Sequence, residues 1–411
     1  MLIDIGPLRH NTAFRRLFAS QFISGLGTMV SYVAVPWQLY QLTRSNALVG
    51  LLGLVQLVPV VVCGLLGGAL ADRVDRRRLL IGSEALMALC LAGLLANALM
   101  ATPSALAIYA LVAVLQGASG FHRPALEALT QKLARPEEFA AVAALSSVRG
   151  TVGMVAGPAL AGLLLARWGA VGAYLFDFAT FIAALFFLVR IPRGQIEQVA
   201  GTAERPHLLA DLAEGLRFAW ARPELMGTYI VDIVAMAFAF PIALFPAMAA
   251  DYGRTEAVGW LLSAMSVGAL VIGLFSGWAS RVSRHGRAVV IAAAVWALGI
   301  VALGFAPSLV LALACLAVAG AADMVSGVFR GTIWNETIPN ALRGRLAGIE
   351  MISYLTGPLI GNVRAGFMAD AWGVAPAIWV GGLVCGAGVI ATGYALPRFW
   401  AYRSTVGQRP P

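Results

Sequence analysis

Asp232, Asp323 and Arg330 stand inside stretches that are otherwise apolar, and so do Arg123, Glu127 and Arg149. A charge in hydrocarbon costs at least about 2.5–3.5 kcal/mol on insertion scales, so each needs a partner or a task. Two chemistries fit these residue types. A carboxyl in a poorly solvating site can exchange a proton, which makes Asp232, Asp323 and Glu127 candidates for proton coupling. A guanidinium keeps its charge and attracts anionic, oxygen-rich solutes, which makes Arg123, Arg149 and Arg330 candidates for lining a substrate cavity. The bland alternative is that these charges pair with one another and only hold helices together. The spacing allows it: Arg123 and Glu127 are four apart, one helical turn, and Asp323 and Arg330 lie two turns apart on a similar face. Asp177 is a further acid in an apolar run. Glu84 and Glu350, near run ends, read as gate or interface partners.

Other chemistries lack their residues. There is no HExxH, no Gly-x-Ser-x-Gly and no P-loop, which argues against an enzyme and against self-contained ATP drive. His10, His122, His207 and His285 are scattered and form no metal set; Cys63, Cys90, Cys315 and Cys385 sit in apolar runs as small packing residues. No metal and no cofactor are expected.

The elements that position these charges follow from hydropathy. Of 411 residues, 60% are hydrophobic and 12% charged, and the mean hydropathy is +0.82; soluble domains carry about 25% charge. Apolar runs near twenty residues recur along the chain, so lipid must be the solvent for much of it. Twelve spans are read, at roughly 17–40, 48–71, 79–101, 104–132, 140–166, 171–190, 224–250, 257–280, 288–306, 308–338, 342–368 and 373–396. Turn residues such as Thr102-Pro103, Trp168-Gly169, Pro307-Ser308 and Trp372-Gly373 punctuate them. Arg15 and Arg16 precede an apolar run too long for a signal peptide, which is taken as the first span. Basic residues fall unevenly: 22 lie in alternate loops, both tails and 190–222, whereas only Arg44, Arg167 and Arg254 lie in the opposite loops. That asymmetry predicts cytoplasmic termini and explains the pI near 9.9 without nucleic acid. Residues 191–222 form the long polar stretch. Leu208, Leu209, Leu212, Leu216 and Trp220 recur there at helical spacing, predicting an amphipathic helix on the membrane surface.

The two halves repeat. Val49-Gly50 matches Val258-Gly259, Gly64 and Gly68 match Gly273 and Gly277, and Ser119-Gly120 with Arg123 matches Ser326-Gly327 with Arg330. Gly157-Pro158 matches Gly357-Pro358, and Trp168-Gly169 matches Trp372-Gly373. The order is kept, which predicts two like-oriented six-helix bundles, 1–190 and 223–411, with 191–222 as a cytoplasmic linker.

The loop after the second span reads Gly68-Ala-Leu-Ala-Asp72-Arg73-Val-Asp75-Arg76-Arg77. It resembles the loop signature of the major facilitator superfamily. The resemblance implies that Gly68 permits close helix packing and that Asp72, with Arg73, Arg76 and Arg77, forms a charge latch at the inner gate. Asp75 stands where the family usually has glycine, and the second-half copy has Arg281 in place of the acid. The fifth span, Gly153-Met-Val-Ala-Gly157-Pro158-Ala-Leu-Ala-Gly162, resembles the family's exporter signature, a tightly packed helix that proline can bend. More narrowly, Ala13-Phe14-Arg15 and the Ala-Asp-Arg loop resemble bacterial enterobactin exporters; Phe121-His122-Arg123-Pro124-Ala125-Leu126 with Pro136-Glu137-Glu138 is more similar to macrolide-efflux relatives. A departure is Ala113. Many family antiporters carry arginine four residues before a Gln-Gly pair, here Gln116-Gly117, and Arg123 lies about 15 Å further along the helix.

The fold expected is therefore an all-α membrane protein of the major facilitator type. By the resemblance, helices 1, 4, 7 and 10 line the cavity with 2, 5, 8 and 11 flanking it. Arg123, Arg149, Asp232, Asp323 and Arg330 could then face the path. The activity implied is secondary transport by alternating access: proton-coupled export of a siderophore or lipophilic drug-like molecule. A metabolite importer or facilitator is the alternative, and a non-transporting receptor or scaffold is a third. The expected partners are a small-molecule substrate, protons and the lipid bilayer of a bacterial inner membrane. No nucleic acid and a monomer are expected.

Overall fold

The computed structural model describes residues 4–71, 74–192, 208–339 and 342–404; within these, side-chain surroundings are undescribed at 65, 67–71, 208–213, 276, 280, 343–345 and 347–355. Among the described residues the chain is helical with no strand, as a lipid-embedded backbone requires when every N–H and C=O must be satisfied within its own segment. The helices are α1 (Gly6–His10), α2 (Thr12–Thr43), α3 (Asn46–Ala71), α4 (Arg76–Leu99), α5 (Ala105–Leu133), α6 (Phe139–Val189), α7 (Leu208–Trp220), α8 (Pro223–Ala239), α9 (Phe245–Asp251), α10 (Ala257–Leu274), α11 (His285–Gly304), α12 (Leu309–Thr337), α13 (Arg343–Trp372), α14 (Val374–Ala395) and α15 (Pro397–Trp400). Ten described stretches are long and apolar enough to cross a membrane. Large apolar side chains such as Leu106 and Val310 lie more than three-quarters exposed, as lipid-facing residues do.

The break in α6 falls where the turn was predicted. Gly169 has φ +61° and divides the helix into two arms; Gly373, between α13 and α14, has φ +93°. Backbone of this kind strains any residue with a Cβ, so the repeated Trp-Gly pairs perform one task in both halves. The Gly-Pro repeat is likewise structural. A Cβ at Gly157 would strike the Cβ of Met29 on α2, and one at Gly357 would lie 2.8 Å from the Cβ of Met236 on α8.

The chain forms two compact units. The first comprises 1–44, 54–202 and 253–263. Its core joins Phe14 and Leu17 of α2, Leu80 of α4, Leu129 of α5 and Leu145 and Leu188 of α6. α10 begins in this unit. A Cβ at Gly259 would fall on the Pro158 carbonyl and one at Gly162 on that of Glu256, so α6 and the start of α10 touch backbone to backbone. Ser263 Oγ donates to the Val155 carbonyl at 2.9 Å beside that seam.

The second unit comprises 45–53, 203–252 and 264–411. α8 packs on α13 and α14, and α11 on α12 and α14. The stretch from Leu208 to Trp220 forms the helix α7. Its Ala219 is buried with Leu225, Tyr229 and Leu346, whereas Leu216 and Trp220 are exposed. Asp370 of α13 receives the first backbone N–H groups of α3, from Asn46 at 2.7 Å and Ala47 at 3.1 Å. A carboxylate there meets the positive end of the helix.

Candidate functional site

α12 brings Asp323 and Arg330 to one face, as two turns of helix must. What the sequence could not show is the third member. Asp232 of α8 meets the same guanidinium, its Oδ1 against Arg330 Nη1, while Asp323 Oδ1 lies 3.6 Å from Nη2. The side chains of Arg330 and Asp232 are only 11% and 10% exposed, against 44% for Asp323. The charges are thus unequal partners. Asp232 and Arg330 form a buried pair, in which loss of either member strands the other. Asp323 is the more exposed acid and holds the second carboxylate of a site with one cation. With both acids ionised the triad carries net −1; one proton makes it neutral. Protons bound there belong to the group as a whole.

The triad lines a small recess together with Val231, Ala235, Ala293, Trp296 and Ser326. Trp296 Nε1 and Arg330 Nε are buried donors without an acceptor among the described residues. Leaving such a buried donor unmet costs about 1–3 kcal/mol. The recess therefore sets two carboxylates beside one guanidinium.

The remaining predicted residues belong to the first unit. Arg123 and Glu127 do pair, Nε to Oε1 at 3.5 Å, and both side chains are more than half exposed. Arg149 is half-buried on α6 and joins neither group. Of the loop signature, Asp72 and Arg73 lie outside the described residues, as do the surroundings of Gly68. Asp75 caps α4, accepting from the backbone of Arg77 at 2.9 Å and Arg78 at 3.4 Å. Its acid therefore has a local task in a position where glycine would have none. Arg76 is half-buried, and Arg77 is 6% exposed and donates through Nη2 to the Val189 carbonyl at 2.6 Å, at the end of α6. That is a favourable place for a cation, since helix C-termini are electronegative. In the exporter signature, Gly157 and Gly162 answer close neighbours, Pro158 lies within the helix, and Gly153 is buried with open space at its Cβ position.

Sequence reasoning missed a second polar group. Glu84, Gln21, His122 and Asp177 are buried or nearly so in the first unit, and Glu84 Oε2 lies 2.6 Å from His122 Nε2. An acid and an imidazole inside apolar runs were the only signal.

A profile described as the transmembrane secretion effector family matches residues 4–405. This chain belongs to the major facilitator superfamily. Within that family it is 30% identical to the enterobactin exporter EntS of Shigella boydii serotype 4, strain Sb227, over 369 residues, covering 89% of this chain and 87% of that protein. The same identity and coverage hold for EntS of Escherichia coli O139:H28. Solved members of the fold superpose along almost the whole chain. The nucleoside transporter NupG gives a TM-score of 0.73 at 14% identity, covering 95% of this chain and 99% of that one. A bacterial homologue of the human lysosomal transporter Spinster gives 0.71 at 15% identity, covering 94% and 95%. The family membership makes this chain a multi-pass membrane transporter.

Proposed function

We propose that this major facilitator protein exports a siderophore or lipophilic drug-like molecule across a bacterial inner membrane, driven by protons moving inward. What carries the reading is the triad: a buried Asp232–Arg330 pair with a second, more exposed acid, Asp323, in one recess. The 30% identity to enterobactin exporters over most of both chains supports the substrate class. Asp323 takes the coupling proton, and Asp232 holds Arg330 in place. Arg330, with Arg123 and Arg149, supplies positive charge for an anionic, oxygen-rich cargo. Neutralising Asp323 leaves the cation balanced by one carboxylate, which changes what the recess prefers to hold as access alternates. Glu127, tied to Arg123, is the lesser coupling candidate. Twelve spans in two six-helix bundles, cytoplasmic termini and a monomer complete the reading, with Asp72, Arg73, Arg76 and Arg77 as the inner latch and Gly153, Gly157, Pro158 and Gly162 as the bending helix.

Everted membrane vesicles with an imposed pH gradient test it. Enterobactin should accumulate when the gradient is present and not when it is collapsed. Asp323→Asn and Asp232→Asn should each lose the gradient response. Full response in both variants defeats the coupling assignment; accumulation only in right-side-out vesicles would make the protein an importer.

A further inference from the structure

The second polar group has a geometry that the export reading does not use. Glu84 of α4 is fully buried, at 0% exposure. Its Oε2 lies 2.6 Å from His122 Nε2 on α5 and 3.4 Å from Gln21 Nε2 on α2. Its other oxygen, Oε1, is buried with no partner among the described residues. The imidazole keeps 14% of its side-chain surface exposed. At 2.6 Å a proton must lie between the two heavy atoms, since two facing lone pairs would repel.

We propose that Glu84 and His122 form a second proton-binding site, in the first unit, separate from the Asp–Arg–Asp triad. The proton count is simple. With neutral His122 donating from Nε2 to ionised Glu84, the pair carries −1. One added proton, at Nδ1 or shared onto the carboxyl, makes the pair neutral, whichever tautomer results. A buried carboxylate with one oxygen unmet is costly, and neutralising it removes that cost. Imidazole is the side chain suited to make this exchange near neutral pH.

The groups around the pair set the direction of the effect. From α6 the facing titratable group is Asp177, 1% exposed, whose Oδ1 accepts from Thr180 Oγ1 at 3.3 Å and which lies close enough to Glu84 for their charges to oppose one another. From α2 the pair meets Gln21, which is uncharged; Arg16 of that helix donates to the Arg190 carbonyl. On α4 Arg77 donates to the Val189 carbonyl, and on α5 Arg123 is paired with Glu127. Arg149 is the other charged group in the membrane-embedded part of α6. Proton uptake therefore removes a buried negative charge in the interior of the first unit, where α2, α4, α5 and α6 all contribute side chains. The link to transport rests on the proposed export activity; the titration of the pair does not.

Full-length protein in lipid nanodiscs, 15N-labelled at histidine and carrying His10→Gln, His207→Gln and His285→Gln, isolates the His122 ring for NMR. Between about pH 9 and about pH 5 the ring should go from one protonated nitrogen to two, and Glu84→Gln should displace that change by about one pH unit or more. A ring that keeps one form throughout, or that titrates identically in Glu84→Gln, overturns the proposal. In proteoliposomes, gradient-driven enterobactin transport should fall about tenfold in His122→Asn while exchange without a gradient persists. An unaltered gradient response in that variant also overturns it. Should the unsubstituted protein carry no enterobactin, the export reading fails and the ring titration still decides the site.

Discussion

The two units each bury an acid against a nitrogen-bearing side chain from a neighbouring helix, but those side chains differ. In the second unit Arg330 binds Asp232 and Asp323; in the first, His122 binds Glu84 with Asp177 nearby. A guanidinium cannot lose its proton in a protein, so any titration in the triad must occur on a carboxyl while the cation stays. An imidazole can lose its charge altogether, so in the first unit the cation is itself the variable. Two helix-to-helix pairs of similar burial can thus serve as a fixed anchor in one place and a switch in the other. The cation's chemistry decides between them.

Substitutions can break that contrast, and the largest effect is expected at the anchor. Arg330→Ala strands Asp232 and should lower unfolding stability in detergent by about 3–5 kcal/mol, read as a fall in the thermal midpoint. Arg330→Lys should recover part of it. A loss no larger than that of an exposed charge would mean the pair is not an anchor. At the switch, Glu84→Gln keeps the shape and removes the charge. Its cost should be smaller, about 1–3 kcal/mol from imperfectly met polar groups, and should differ between acid and alkaline buffer. Equal cost at both would remove the contrast with the triad. Asp75→Ala, outside both groups, calibrates the scale: losing the α4 cap should cost about 1 kcal/mol at any pH at which the acid is ionised. The smallest stability change belongs to Asp323→Asn. That side chain is 44% exposed, and a pair so placed contributes about 1 kcal/mol or less. The same variant should nevertheless lose the pH-gradient response, which separates its task from that of Arg330.

Much of the fold was legible because membrane insertion writes itself in composition. Runs near twenty residues, arginine asymmetry and repeated Gly-Pro and Trp-Gly pairs are local properties of the chain. The structure places a positive φ at both Gly169 and Gly373 and sets Met29 and Met236 against the two Gly-Pro helices. The site was half legible. Asp323 with Arg330, and Arg123 with Glu127, share a helix, so the 3.6-residue period alone brings them near. Asp75 could have been read as a cap from its place before Arg76, but the loop signature drew attention to its departure from glycine.

By itself, then, the sequence determined that lipid is the solvent, that the chain is helical and repeats, and which charges are costly enough to need a reason. Only the tertiary structure decided which costs are met by which partner. Asp232 reaches Arg330, and Glu84 reaches His122, from separate helices. The physical reason is that periodicity fixes neighbours along one helix, whereas neighbours across helices depend on how small residues and side-chain shapes let those helices approach and rotate.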